Sequence, residues 1–363
     1  MKIGFYLGDY NNVGGIERVT TTLSNYMADV LGHEVEIISS FKGRPEPAYS
    51  LSKSVKVHYI TEEATGSVPH SMKRIIKRLT NVVHVRRFFK THKYDLIIAQ
   101  AFPNNLSLFL AGKDMSNVIS AEHVYANYYG SFIKSIRNFI YRRSAKIVVL
   151  TGNDKEYFDT VFSSNHTLVI PNPVILTEKH YSSLVNKEII SLGRLQYQKG
   201  YDNLVDIFNS VHKRYPDWHL SIYGEGALRK ELQQKIDSLG LSDFMHLKGL
   251  TTDVPAVLRQ SSIYVMSSRF EGFPMVLIEA MNQGVPCVSY RCPNGPSDII
   301  QDGHNGLLVE DQNAAQLADA ICYMIENDEE RKQMGKNSCD SIDKYSASSI
   351  CSMWECLFND LKK

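Results

Sequence analysis

Short runs of aliphatic and β-branched residues alternate along this chain with longer stretches in which apolar positions recur every three or four residues. Lys2–Leu7, Glu34–Ser39, Asp95–Ala99, Val118–Ala121 and Lys146–Leu150 read as buried strands separated by amphipathic segments. The pattern restarts at Glu188–Leu192 and runs through Trp218–Tyr223, Met245–Leu247, Ile263–Met266, Pro286–Tyr290 and Gly306–Val309, with helical stretches such as Tyr201–Val211 and Ala227–Leu239 between them. Such alternation predicts parallel sheets with helices on both faces, an α/β fold of two Rossmann-like, doubly wound domains. Pro171-Asn172-Pro173 breaks regular structure before a polar stretch containing Glu178, Lys179 and His180. The expected domains are therefore 1–177 and 178–343, followed over 344–363 by a helix carrying Ile350, Trp354 and Leu357. Ligands in open sheets bind beyond the carboxyl ends of the strands, so a cleft between the two domains is the expected active site.

Composition narrows the class. At 363 residues, with 43% hydrophobic and 22% charged positions, the chain is long enough for two cores and is neither disordered nor fibrous. The net charge of +1 conceals an asymmetry: residues 1–180 hold 22 Lys+Arg against 15 Asp+Glu, and the remainder 18 against 24. No apolar run spans a bilayer, and Met1-Lys2 leads directly into the first strand, so a cytoplasmic location is expected. All six cysteines fall in the second half without Cys-x-x-Cys spacing and read as reduced, packed thiols.

Candidate chemistry concentrates where strands end. Phe270-Glu271-Gly272-Phe273-Pro274-Met275-Val276-Leu277-Ile278-Glu279 places a glycine loop before a helix that Pro274 can open at its first position and Gly284 can end. The N–H groups of Gly272, Phe273, Met275 and Val276, together with the helix dipole, suit a diphosphate. An ordinary helix with solvated glutamates would leave the same trace. Gly193-Arg194 and Lys199 follow a buried strand, where two cations could neutralise a leaving diphosphate. His123 ends the strand at Val118–Ala121 and is placed either to contact a sugar hydroxyl or simply to pack. Gly14-Gly15 permits close backbone approach, as would any strand-to-helix turn. Gly224-Glu225-Gly226 lacks the third glycine of a dinucleotide fingerprint, which argues against a nicotinamide dehydrogenase. No Asp-x-Asp pair is present to hold a metal against a diphosphate, so no metal or other cofactor is expected.

The two glutamates separated by seven residues, Glu271 and Glu279, resemble the signature of glycosyltransferase family 4. Gly193-Arg194-Leu195, Gln198-Lys199-Gly200, Tyr223-Gly224-Glu225-Gly226, Gly303-His304-Asn305-Gly306, Gly14-Gly15-Ile16-Glu17-Arg18 and Ala121-Glu122-His123 are similar to its other marks, in the same order. The resemblance implies a GT-B fold with the final helix crossing back to the first domain, an amino-terminal half that binds acceptor and a carboxy-terminal half that binds a nucleotide sugar. It implies retaining, metal-independent transfer of a hexose or N-acetylhexosamine, from UDP in the first instance, to a glycan or lipid-linked acceptor of bacterial polysaccharide assembly. Arg194, Lys199, Glu271 and His123 would then be catalytic, with Glu271 on the sugar and Glu279 on the ribose. Gly14, Gly15, Gly193, Gly224, Glu225, Gly272, Phe273, Pro274, Met275 and Val276 would contact the donor. A non-catalytic sugar-nucleotide-binding partner, or an epimerase or hydrolase on the same fold, are the alternatives.

Two basic helical stretches add a possible surface function. Ile75, Ile76, Leu79, Val82 and Val83 share one face opposite Lys73, Arg74, Lys77 and Arg78, continued by Arg86, Arg87, Lys90 and Lys93. Lys134, Arg137, Arg142 and Arg143 accompany Phe132, Ile133, Ile136, Phe139 and Ile140. They suit the anionic inner face of the cell membrane or equally a solvated helix face. Nucleic acid is not an expected partner, since the total charge is near zero and no recognition motif is present.

Overall fold

The computed structural model describes residues 1–64, 72–176 and 181–362, apart from the side chains of 72–75. The polar stretch with Glu178, Lys179 and His180, and the side chains of Lys73, Arg74 and Ile75, lie outside the described residues. The chain forms two compact units, Met1–Pro173 with Ala347–Lys363, and Val174–Ser346.

In chain order the first unit contains β1 (Lys2–Asp9), α1 (Gly15–Asp29), β2 (Glu34–Phe41), β3 (Lys56–Tyr59), α2 (Met72–Thr91), β4 (Leu96–Gln100), α3 (Phe102–Leu110), β5 (Val118–Ala121), α4 (Ser131–Tyr141), β6 (Lys146–Val149), α5 (Gly152–Val161) and β7 (Thr167–Val169). The second contains β8 (Glu188–Leu192), α6 (Tyr201–Arg214), β9 (His219–Tyr223), α7 (Arg229–Ser238), β10 (Met245–Gly249), α8 (Val254–Arg259), β11 (Ile263–Met266), α9 (Met275–Asn282), β12 (Cys287–Tyr290), α10 (Pro296–Ile299), β13 (Gly306–Val309), α11 (Ala314–Glu326) and α12 (Asp328–Ser341), before α13 (Ala347–Leu361) returns to the first.

Every strand pair is parallel, in the orders β3-β2-β1-β4-β5-β6-β7 and β10-β9-β8-β11-β12-β13. Both orders reverse at the first strand of their unit, so each sheet has one topological switch point, β1/β4 or β8/β11. The central strands bury nearly every residue because helices cover both faces. In the first unit α2, α3, α4 and α5 contribute Val85, Phe89, Phe102, Leu108, Ile140 and Phe158 to one core, while α1 packs with α13. The second unit's α6 buries Leu204, Val205, Ile207, Phe208 and Val211 at helical spacing.

The division differs slightly from the expected one. Val174 N–H bonds to Tyr345 O and Val174 bridges to Ser346, which ties the chain to the second unit directly after Pro173 rather than after position 177. Residues Asp343–Tyr345 form a 3-10 turn of the second unit, so the last helix starts at Ala347 rather than 344. His33 Nε2 meets Glu355 Oε1 at 2.5 Å and helps hold α13 on the first unit.

Candidate active site

The second unit's switch point gathers most of the expected residues. After β8 the chain passes through Gly193 and Arg194 to a 3-10 turn over Tyr197–Lys199. Gly200 closes that turn at φ 65°, and a Cβ there would stand 2.2 Å from Ser267 O, just past the end of β11. Only glycine permits both the left-handed backbone and that approach. Lys199 is thereby brought against the loop after β11. Its Nζ donates to Glu271 Oε1 at 2.7 Å; Ser268 Oγ donates to the same oxygen at 2.6 Å and Gln198 Nε2 to Oε2 at 3.3 Å. Glu271 is 6% exposed. Arg269 locks the two loops together: its guanidinium forks onto Asp202 at 2.9 and 2.6 Å, donates to Tyr197 O at 2.7 Å and lies 4.1 Å from the Tyr197 ring centre.

The two expected cations differ in their surroundings. Lys199 is already paired, whereas Arg194 is exposed and makes no ion pair among the described residues. Gly193 crowds this point, since a Cβ on it would stand 2.8 Å from Tyr201 Oη and 2.9 Å from Lys199 Cε. Burial, with the Glu271 charge second, pushes the nearby Cys292 thiol well up, which makes it an inert packing group.

The helix start needs correction. Pro274 is the cap residue, with ψ 80°, and α9 begins one residue later at Met275. The Met275 N–H is taken by Phe273 O at 2.9 Å, so it is not free for a ligand; those of Gly272, Phe273 and Val276 have no backbone acceptor among the described residues. The Phe273 side chain is buried edge-on against Tyr345, so only its backbone is available. Glu279 is half-buried on α9. Gly224 N–H bonds to Gly249 O at 2.7 Å, and the carboxylate of Glu225 faces Arg229 at 2.8 Å on the surface.

In the first unit His123 follows β5 at the sheet's carboxyl edge. Its Nε2 bonds to Gln100 Oε1; that oxygen only accepts, so the ring carries its proton on Nε2 and leaves Nδ1 as an acceptor. Burial lowers its pKa to about 4, which keeps it neutral near pH 7. The preceding Glu122 is 2% exposed and takes bonds from Tyr141 Oη at 2.8 Å and the His123 N–H at 3.2 Å. Burial raises its carboxyl to about 6 despite the opposing Arg137 charge. Gly14 caps α1 with extended backbone, Gly15 faces open space, and burial raises Glu17 in the same turn to about 7.

The basic helices also depart from expectation. On α2 the apolar Ile76, Leu79 and Val83 are each more than half exposed, while Lys77 pairs with Glu63 and Arg78 turns inward until its guanidinium reaches the Gly8 backbone. Arg137 is no surface cation: it is fully buried, donates to Ala126 O and lies 4.6 Å from the Phe158 ring. Phe132, Ile133 and Phe139 of α4 face solvent with Arg142 and Arg143.

Sequence reasoning did not single out Ser268, Arg269, Asp202, Gln100 or Tyr141. Ser268 was findable as the second of two small hydroxyls just past a buried strand; Arg269 and Asp202 meet from 67 positions apart and leave no local trace. Among the described residues no group of three His, Cys, Asp or Glu side chains could hold a metal ion, and no helix is long and apolar enough to cross a membrane.

Comparison with known proteins follows these two units. Residues 13–178 match the model "Glycosyltransferase Family 4" and residues 177–340 the model "Glycosyl transferases group 1". The amylovoran biosynthesis glycosyltransferase AmsD of Erwinia amylovora is 27% identical over 372 residues, covering 99% of both chains. An α-1,4-N-acetyl-D-galactosaminyltransferase of Campylobacter jejuni, named for a GalNAc- and diNAcBac-bearing PP-undecaprenol, is 28% identical over 369 residues, covering 100% of this chain and 99% of that protein. A crystal structure of a Staphylococcus aureus TarM mutant in complex with fondaparinux, alpha-GlcNAc-glycerol and UDP superposes with TM-score 0.81 at 18% identity, covering 99% of each chain. That likeness shows the fold.

Proposed function

Because the chain belongs to the glycosyltransferases, family 4 in its first half and group 1 in its second, we propose that it transfers a hexose or N-acetylhexosamine from a UDP-sugar with retention of configuration. The acceptor is a carbohydrate or a lipid-linked glycan of bacterial polysaccharide assembly. One observation carries this reading: Lys199 and Glu271 meet at 2.7 Å at the switch point of the second sheet, where a nucleotide's diphosphate and sugar would lie. In the reaction the bond from the anomeric carbon to the phosphate oxygen breaks and the diphosphate keeps the electron pair. Arg194 and Lys199 take up the growing charge. The acceptor oxygen bonds to the anomeric carbon on the same face and its proton passes to the departing phosphate. Glu271 accepts from the sugar hydroxyls, Glu279 from the ribose, and His123 from a sugar hydroxyl through Nδ1. The backbones of Gly14, Gly15, Gly193, Gly224, Gly272, Phe273 and Val276 line the donor. Two cations and the α9 dipole serve without a metal.

UDP is favoured by its presence in the TarM complex, and the acceptor class by the PP-undecaprenol in the name of the Campylobacter relative. The exposed apolar and cationic side chains of α2 and α4 favour peripheral contact with the anionic inner face of a membrane. The test is thermal stabilisation of the purified chain by UDP, GDP, ADP, dTDP and their common sugar conjugates, with and without divalent metal. Selective stabilisation by UDP and one UDP-sugar, independent of metal, is expected; silence toward every nucleotide would overturn the reading.

A further inference from the structure

Most of the exposed side chains of α2, which also include Thr80, His84 and Thr91, form one stripe. Ile76, Leu79 and Val83 lead to Arg86, Arg87 and Lys90 at spacings of three and four, so the stripe is apolar for its first half and cationic for its second. Its basic end opens on a cavity of about 310 Å³ between the end of α2 and the connection from α3 to β5, lined by Arg86, Lys90, Lys93, Tyr94, Lys113 and Asp114. These side chains carry four positive charges against one negative. Lys113 Nζ is half-buried and held by Asp114 O at 3.0 Å and Asn117 Oδ1 at 2.6 Å. Burial, and behind it the Lys93 charge, lowers its pKa despite Asp114. Arg86, Lys90 and Lys93 make no ion pair among the described residues, although Asp95 lies only two positions from Lys93. Tyr94 and Asn117 lie two positions before β4 and one before β5, so the cavity lies at the amino-terminal edge of the sheet, opposite the edge that carries His123.

A concave group of one arginine fork and three lysines, with a single carboxylate, matches a phosphate group better than a solvated helix face does. Two exposed apolar side chains flank it. Val83 lies one turn before Arg86 on α2, and Leu110 immediately precedes the lining residues Ala111, Gly112 and Lys113. Beyond Leu110, Phe109 packs edge-on against the exposed Phe139, over which Arg143 lies at 3.7 Å. Charge with adjoining apolar surface distinguishes a headgroup carrying acyl chains from a free anion.

We propose that this cavity binds the phosphate of an anionic phospholipid headgroup, with Val83 and Leu110 against the acyl region, so that the first unit is held to the bilayer at a built site as well as by diffuse attraction. The inference rests on the membrane reading above and is independent of the donor assignment.

The test is flotation of the full chain with vesicles of phosphatidylcholine alone and of phosphatidylcholine doped with phosphatidylglycerol, alongside calorimetric titration with glycerol phosphate. Lys90→Ala/Lys93→Ala removes two charges from the cavity, and Arg87→Ala/Arg143→Ala removes the same charge from the surface outside it. The wild type is expected to float only with the doped vesicles. The cavity pair should weaken that binding about thirtyfold, the control pair several-fold less, and glycerol phosphate should compete with the wild type alone. Equal losses in the two pairs would overturn the headgroup site and leave the membrane reading standing. Glycerol phosphate binding that is lost in the cavity pair, without flotation, would make the source a soluble phosphate and overturn both. No response to either probe would also overturn both.

Discussion

Replacing Lys199 by methionine removes the cation that Glu271 faces at 2.7 Å while keeping most of the apolar stem. The carboxylate, 6% exposed, would then retain only the Ser268 hydroxyl and the Gln198 amide as donors. Opening one side of a buried pair costs about 3 to 5 kcal/mol, and the 16% exposure of the Lys199 side chain puts the expectation at the lower end, about 3 kcal/mol. For a unit the size of Val174–Ser346 that is a fall in Tm of about 6 to 12 °C. Glu271→Gln alone strands a lysine that still reaches water and should cost less, about 1 to 2 kcal/mol. The double variant holds no uncompensated charge, and its amide oxygen can still accept from Ser268. It should therefore lie within about 1 kcal/mol of wild type, although the single losses sum to about 4 to 5 kcal/mol. Urea unfolding of the four proteins measures this cycle, and UDP titration follows the site separately. Losses that simply add would refute the claim that Lys199 and Glu271 depend on one another.

Four other outcomes follow from the same geometry. Arg194→Ala removes an exposed, unpaired cation, so stability should stay within about 0.5 kcal/mol while kcat falls about 10²- to 10³-fold; a urea midpoint that falls with the activity would contradict a purely electrostatic role. Arg269→Ala breaks the fork to Asp202 and the bond to Tyr197 O; it should cost about 1 to 2 kcal/mol and weaken UDP binding by calorimetry, because the turn carrying Lys199 is released. Glu122 is raised from 4.5 to about 6, so its folded form takes a proton more readily than its unfolded form. The stability it contributes is full below its unfolded pKa and lost as pH rises through 6: relative to Glu122→Gln, wild type should lose about 2 kcal/mol between about pH 4 and 7.5, and a constant gap in urea midpoint would exclude this. His123, lowered to about 4, is neutral throughout the working range. The kcat/KM profile should therefore show no limb near pH 6.5 that disappears in His123→Asn.

The fold was legible to the extent that strands are buried on both faces. β1, β2, β4, β5, β6, β8, β11 and β12 run through cores and bury nearly all their side chains, which writes them into the chain as apolar runs; β9, β10 and β13 bury fewer residues, but Leu220 and Ile222, Met245 and Leu247, and Leu307 and Leu308 still mark them. The two unforeseen strands, β3 and β7, are the sheet's edges. Lys56-Val57-His58-Tyr59 buries none of its residues fully and Thr167–Val169 is three residues long, so neither offers an apolar run or a sustained period. Pro274 was misplaced by one position for a related reason. Proline suits both the cap and the first turn, and the outcome turns on Gly295, whose Cβ would stand 2.2 Å from Pro274 Cδ; that contact arrives from beyond β12.

Site residues divide along the same line. Gly193, Lys199 and Glu271 sit within a few positions of a strand end, and a strand end in a parallel sheet is where ligands bind, so locating the strands located them. What the strands do not encode is which charges meet. Two cations five positions apart after β8 looked equivalent, yet Gly200 folds Lys199 back onto the end of β11 and leaves Arg194 in water. The same loss of information left part of the reading of α2 and α4 wrong, although Arg86, Arg87, Lys90, Lys93, Arg142 and Arg143 are exposed as expected. Periodicity identifies an apolar face but not which way it points, and here Ile76, Leu79 and Val83 face outward while Arg78 and Arg137 turn in. On α2 the stripe of Ile76, Leu79 and Val83 stays exposed although Val85 and Phe89 of the same helix already supply a buried apolar face, an arrangement that folding alone does not require. That exposed stripe runs into the lining of the cavity of Lys90, Lys93 and Lys113, so the proposed headgroup site, unlike a purely structural account of α2, gives the stripe a role.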